Sequence, residues 1–130
     1  MDTTGAVSNL SVLTFNIWDF PIWLPGLDRK KRLRRMPAEI QALGPDIICL
    51  QEAWRVRGRT RLVEALGMTH HSPVGVVRTP APLVSLDTTG GLFVISRHPM
   101  ADHEFVPFPR LSGSSLIEEL ARKGMLCSRA

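Results

Sequence analysis

Gly44-Pro45 followed by Asp46-Ile47-Ile48-Cys49-Leu50-Gln51-Glu52 is the feature that most limits the folds open to this chain. Glycine then proline stops a helix, and the apolar run behind it lasts one strand's length before ending in two polar residues. A run without polar alternation predicts a strand buried on both faces, and hence one of a parallel pair. Its partner is upstream: Leu10 to Trp18 is apolar and β-branched with near-alternation and is closed by Asp19-Phe20-Pro21. Between the two, Leu27 to Leu43 places apolar residues at 33, 36, 40 and 43, a helical spacing. Pro37 either kinks this helix or sits in the first turn of a shorter one. Strand, helix, strand in this order predicts a right-handed crossover within an α/β fold.

Downstream, Arg59 to Leu66 reads as a second helix closed by Gly67, and Met68 to Val77 as a weaker strand containing His70 and His71. Gly90-Gly91 leads into a strand over Leu92 to Ser96, and Arg97-His98-Pro99-Met100 turns the chain into a strand over Ala101 to Val106. Ser114 or Ser115 caps a short helix through Arg122, and Gly124 to Ser128 begins a last strand. Residues 1–9, small and polar, read as a flexible leader to one domain over residues 10–130. A composition of 44% hydrophobic and 22% charged residues is that of an ordinary globular domain, which excludes disordered and collagen-like classes. No stretch approaches the roughly 20 apolar residues of a membrane span, and the first residues lack a signal-peptide pattern. Cys49 and Cys127 have neither CxxC spacing nor a secretory context, so they read as buried free thiols in a reducing cytoplasm.

Chemistry is expected where strands end, because ligands gather at the carboxyl ends of parallel strands in open α/β sheets. Asn16 and Glu52 stand at those two ends. A glutamate directly after an apolar strand is costly to bury unless its charge is paired, and a divalent cation with oxygen ligands would pair it. Magnesium suits an amide carbonyl plus a carboxylate. The alternative is structural: Asn16 makes a turn and Glu52 faces solvent at the strand exit.

The spelling of three segments adds to this. Leu13-Thr14-Phe15-Asn16-Ile17-Trp18, then Gly44-Pro45-Asp46-Ile47-Ile48-Cys49-Leu50-Gln51-Glu52-Ala53-Trp54, then Gly90-Gly91-Leu92-Phe93-Val94-Ile95-Ser96-Arg97-His98-Pro99-Met100, resembles the endonuclease/exonuclease/phosphatase superfamily in order and spacing. The resemblance implies a two-sheet α/β sandwich and a metal-dependent phosphodiesterase or phosphomonoesterase. By position it makes Asn16 and Glu52 the ligands of Mg²⁺, with Mn²⁺ as the other ion. Within the superfamily, the loop after Asn16, the paired glycines and Leu120-Ala121-Arg122-Lys123-Gly124-Met125-Leu126 resemble the sphingomyelinase branch, in which a Lys-Gly precedes a strand beside the active site. That implies a phosphate-proximal Lys123 and a lipid headgroup as substrate.

Hydrolysis of a phosphodiester also needs a general base and donors for the non-bridging oxygens. In the superfamily these come from a Thr-His-Leu-like strand end, an Asp-x-Asn pair and a Ser-Asp-His, all later in the chain than the match to residues 124–128. The resemblance therefore implies the amino-terminal half of a family domain, inactive as it stands. The alternatives are a nuclease of the same superfamily and a non-catalytic remnant that acts only as a binding module.

Asp102-His103 mimics the end of Ser-Asp-His, yet its place in an ordinary strand predicts a surface pair. His70 and His71 are neighbours in a strand, point to opposite faces and do not converge on one ion. Sixteen Lys and Arg against twelve Asp and Glu give a net charge of +4, with six of the basic residues between Arg29 and Arg35. That run reads as a solvated helix face; nucleic acid or an anionic membrane surface is the functional alternative. Trp18, Phe20 and Trp23 flank the loop after Asn16, which with Pro21, Leu24 and Pro25 leans toward lipid.

Overall fold

The computed structural model describes residues 9–20, 28–74, 89–109, 112–113 and 123–130. The apolar run forms β2 (Ile47–Gln51), which pairs in parallel with β1 (Val12–Asn16), as its spelling requires. On its other side β2 pairs antiparallel with β4 (Phe93–Ser96), and β4 pairs with the two-residue β3 (His70–His71). The order is β1-β2-β4-β3, so β2 is a central strand and β1 an edge strand. A second sheet consists of β5 (Ala101–Pro107) and β6 (Gly124–Arg129), antiparallel. Among the described residues, two sheets with two helices make this the α/β architecture expected of the amino-terminal part of a two-sheet sandwich.

Helix α1 (Arg29–Leu43) opens where the Asp28 carboxylate accepts the Lys31 N–H at 3.1 Å, and it closes at Gly44 with φ +61°. Pro37 lies in the interior of α1, well past the first turn, and the element runs through it. An interior proline costs about 3 kcal/mol in an isolated helix. Met36 and Ile40, on either side of Pro37, are buried in the core and offset that cost by their packing. Helix α2 (Val56–Leu66) starts three residues before the expected Arg59 and ends at Gly67, φ +64°. The weaker strand expected over Met68 to Val77 is reduced to β3 within the described residues. The helix expected between Ser114 and Arg122 lies outside them.

One face of the first sheet carries the core. Ile48 and Leu50 of β2 stand beside Ile95 and Phe93 of β4, all buried, and meet Met36 and Ile40 from α1 and Leu62 and Leu66 from α2. The other face differs from expectation. Ile47, Cys49 and Gln51 are only half-buried, and Val12, Thr14 and Asn16 of β1 are exposed. Both helices lie against the first face, so the unbroken apolar spelling of β2 does not correspond to equal burial on both faces among the described residues. The thiols follow the same correction. Both are free, but Cys127 is exposed and Cys49 half-buried, with burial pushing the Cys49 thiol above its ordinary pKa.

The amino ends of β1 and β2 are tied by Asp46. Its Oδ2 accepts the Ser11 N–H at 2.8 Å and the Ser11 hydroxyl at 2.7 Å. These bonds favour the charged carboxylate and hold its pKa below the ordinary value, with smaller help from His98 and Arg97. A carboxyl group depressed on folding stabilises the fold above its unfolded pKa, and that contribution is lost as pH falls through the folded value. Asp46→Asn is therefore expected to lower stability at neutral pH and to flatten the loss of stability below about pH 4. Urea melts across pH 3 to 7 check this; parallel pH profiles for the two proteins would count against it.

Candidate active site

Because β1 and β2 are parallel, their carboxyl ends leave the sheet together, and the ladder between them continues past the strands. The Ile17 N–H donates to the Gln51 carbonyl at 2.9 Å, and the Asp19 N–H donates to the Glu52 carbonyl at 2.9 Å. Asn16 is the register partner of Gln51, so Asn16 and Glu52 stand on adjacent strands at one end of the sheet. On the far side of Glu52 the Ala53 N–H donates to the Gly91 carbonyl at 2.8 Å. Glu52 is thus held between the exit of β1 and the turn before β4.

Two residues at this end adopt left-handed backbone: Trp18 at φ +51° and Glu52 at φ +54°. A non-glycine residue there costs about 1–2 kcal/mol, and such strain gathers at functional sites. The Trp18 N–H donates to Asn16 Oδ1 at 2.8 Å, so Asn16 does make the turn that the structural alternative required. A carbonyl oxygen has two lone pairs, and one remains. Glu52 is half-buried, and among the described residues no side-chain hydrogen bond or ion pair satisfies its carboxylate.

This donor set, one amide oxygen and one uncommitted carboxylate, fits a hard cation such as Mg²⁺, which takes one or two carboxylates and keeps several waters. It does not resemble a zinc or iron site, and among the described residues no group of three or more His, Cys, Asp or Glu converges. His70 and His71 lie at the sheet's far edge, where the His71 ring packs against Phe93 with centroids 5.7 Å apart.

Residues 13–129 match the model of the Endonuclease/Exonuclease/phosphatase family. The chain belongs to this family. Its relatives include sphingomyelin phosphodiesterase 5 of Danio rerio, 37% identical in an alignment 100 residues long, which covers 70% of this chain and 18% of that protein. Among solved structures, sphingomyelinase C from Streptomyces griseocarneus superposes with a TM-score of 0.60 at 25% identity, over 90% of this chain and 42% of that one. A β-hairpin deletion mutant of beta toxin from Staphylococcus aureus shares the fold at 16% identity, with a TM-score of 0.54 over 73% of this chain and 38% of that one. The chain is thus similar to the sphingomyelinase branch of the family, and it spans less than half the length of each of these relatives.

Lys123, taken from the same resemblance, stands exposed just before β6, on the hairpin rather than on the sheet that carries Asn16 and Glu52. Its carbonyl accepts the Phe108 N–H at 2.9 Å, and no hydrogen bond or ion pair joins it to either residue. Asp102 and His103 lie in β5 at a break in its register with β6, where Asp102 takes φ +51° rather than ordinary strand backbone; Asp102 bonds Arg129 at 3.0 Å, and His103 Nδ1 lies 2.9 Å from the Ser128 hydroxyl. The run from Arg29 to Arg35 is only partly a solvated face. Arg29 donates to the Phe20 carbonyl at 2.6 Å and Arg32 to the Trp18 carbonyl at 2.9 Å, so two of its six cations fasten the loop after Asn16. Trp18 remains 48% exposed, Phe20 packs edge-on against Trp54, and Trp23 lies outside the described residues.

Three further residues support this candidate site, and for two of them, Asp19 and Arg59, the sequence carries no signal. Asp19 is buried and accepts the Arg55 Nε–H at 2.8 Å, which pins the exit of β1 to the start of α2. Arg59, also buried, donates to the Ala53 carbonyl at 2.6 Å from beneath the Glu52 turn. Gly91, at φ +76°, lies against Trp54 so closely that a Cβ would sit 2.9 Å from Cε2 of the indole. Only the last had a sequence cue, the glycine pair itself. Gly91→Ala combines a disfavoured φ with a steric clash and is expected to cost about 2–4 kcal/mol, read as a lowered thermal midpoint. A loss under about 0.5 kcal/mol would show that the turn relaxes freely.

Proposed function

We propose that this chain supplies the metal-holding edge of a Mg²⁺-dependent phosphodiesterase that hydrolyses a sphingomyelin-like lipid headgroup. The observation that carries the reading is the uncommitted Glu52 carboxylate beside Asn16 at a shared strand end, in a chain whose relatives are named for sphingomyelin. A bound Mg²⁺ would lower the pKa of water and offset the charge that develops on the phosphate. The chain's own residues orient the site. The backbone bonds at Glu52 and Ala53 hold the turn that carries the carboxylate, and the Trp18 N–H holds the amide of Asn16 through one lone pair of Oδ1 and leaves the other for a ligand. Lys123 is assigned to the phosphate, as a cation that would attract a non-bridging oxygen.

The general base and the remaining donors are not among these residues, so residues 1–130 alone are expected to show no hydrolysis above background with Mg²⁺ or Mn²⁺. Robust turnover by this chain would overturn that account. At its full natural length, the protein carrying this sequence is expected to release phosphocholine from sphingomyelin with Mg²⁺ and to stop on addition of EDTA. Cleavage of DNA with no release of phosphocholine would replace the lipid reading by the nuclease one.

A further inference from the structure

α1, α2 and the exit of β1 line a groove of about 540 Å³ whose walls carry Arg29, Lys30, Arg34, Arg55, Arg57 and Arg61. Among the described residues the only carboxylate lining it is Asp19, which is buried and whose Oδ1 accepts from Arg55. Glu39 and Glu64, on the same two helices, do not line it. Arg29 and Arg55 are committed to the β1 exit loop. Lys30, Arg34, Arg57 and Arg61 are exposed, and among the described residues none of the four makes a side-chain hydrogen bond or ion pair. The floor is apolar, formed by Leu33, Met36 and Leu62.

Four uncommitted cations facing one concavity repel one another, and an anion relieves that repulsion. Three of them are arginines, whose planar guanidinium matches phosphate in a bidentate way. Among the described residues the groove offers no aromatic ring on which a base would stack, and it has the size of one headgroup rather than of a duplex. An apolar floor beneath a basic rim suits a phosphate ester that continues into hydrocarbon.

We propose that the groove between α1 and α2 binds the headgroup of an anionic phospholipid and docks this face of the protein on a negatively charged bilayer. The site uses neither Asn16 nor Glu52 and does not depend on the reading of the catalytic edge.

Co-sedimentation of the full chain with vesicles tests it, without any hydrolysis. Binding is expected to vesicles of phosphatidylcholine with roughly one-third phosphatidylserine, to be negligible with phosphatidylcholine alone, and to weaken as salt rises. The double substitution Arg34→Glu with Arg61→Glu is expected to weaken vesicle binding by at least about tenfold. Lys31→Glu with Arg35→Glu makes the same charge change on the other side of α1 and is expected to cost less than about threefold. Circular dichroism confirms that both variants fold, and Arg34→Gln with Arg61→Gln, a milder pair, is expected to fall between them. Equal losses in the two Glu variants would reduce the effect to net charge and overturn the site. So would vesicle binding without a preference for phosphatidylserine. Saturable binding of inorganic triphosphate or of a single-stranded oligonucleotide, with no vesicle binding, would overturn the lipid as occupant.

Discussion

Glu52→Gln, in the full-length protein, is expected to lower Mg²⁺-dependent turnover by at least about a hundredfold, while the fold and the thermal midpoint change little. Glutamine keeps the shape of the side chain and one carbonyl oxygen but removes the charge that a hard cation requires. No protein group depends on that charge among the described residues, so its removal leaves no buried partner stranded. Mn²⁺-induced line broadening in the chain itself gives a readout besides activity. Signals near Asn16 and Glu52 are expected to broaden in the native chain and to stay sharp in the variant. Broadening centred elsewhere, or unchanged turnover in the variant, would sink the metal assignment.

Arg59→Met is expected to destabilise the fold by about 3–5 kcal/mol, among the largest single-residue effects in the chain. The guanidinium is buried, donates to the Ala53 carbonyl at 2.6 Å and to the Val74 carbonyl at 3.3 Å, and lies 3.4 Å from the Thr89 hydroxyl. Its central carbon stands 4.8 Å from the centroid of the Phe93 ring. Methionine fills much of the volume but takes the guanidinium donor from the Ala53 and Val74 carbonyls, so the penalty is for buried polar groups that lose a hydrogen bond rather than for a cavity. Arg59→Lys keeps the charge but lacks the fork, and it is expected to recover only part of the loss. Urea unfolding measures both. A cost under about 1 kcal/mol for Met would mean that the turn finds other donors. The two predictions separate by readout: Glu52 governs turnover with little effect on stability, and Arg59 governs stability first.

Much of the candidate site was legible in the sequence because the two residues proposed as ligands terminate locally recognisable elements. The apolar spelling of β2 marks where the strand ends, and Glu52 is the residue just beyond it; Asn16 ends β1 in the same way. What that spelling did not reveal is how Glu52 is held. Glu52 takes a left-handed φ between a bond from Asp19 of the β1 exit and a bond from Ala53 to Gly91, which belongs to the chain leading into β4, more than thirty residues later. Burial of Arg59 runs against the ordinary exposure of arginine, and nothing beside it in sequence marks it out from Arg57 or Arg61, which are exposed. The basic run misled in a related way. As a helix face it looked uniformly solvated, whereas the fold commits Arg29 and Arg32 to loop carbonyls and turns Lys30 and Arg34 toward the arginines of α2.

The sequence by itself determined the order of strand, helix and strand, the parallel pairing of β1 with β2, the stops at Gly44 and Gly67, and the family. All of these rest on local periodicity, on turn chemistry, or on the spelling of short segments. The tertiary structure alone decided that β4 enters antiparallel beside β2, that one face of the sheet is packed and the other only half-covered, and that Arg59 and Asp19 are buried. It alone formed the basic groove. Each of these depends on contacts between residues far apart in the chain, such as Asp19 with Arg55 and Arg59 with Thr89. The energy of such contacts appears only when packing removes water from both partners, and no window of neighbouring residues contains it.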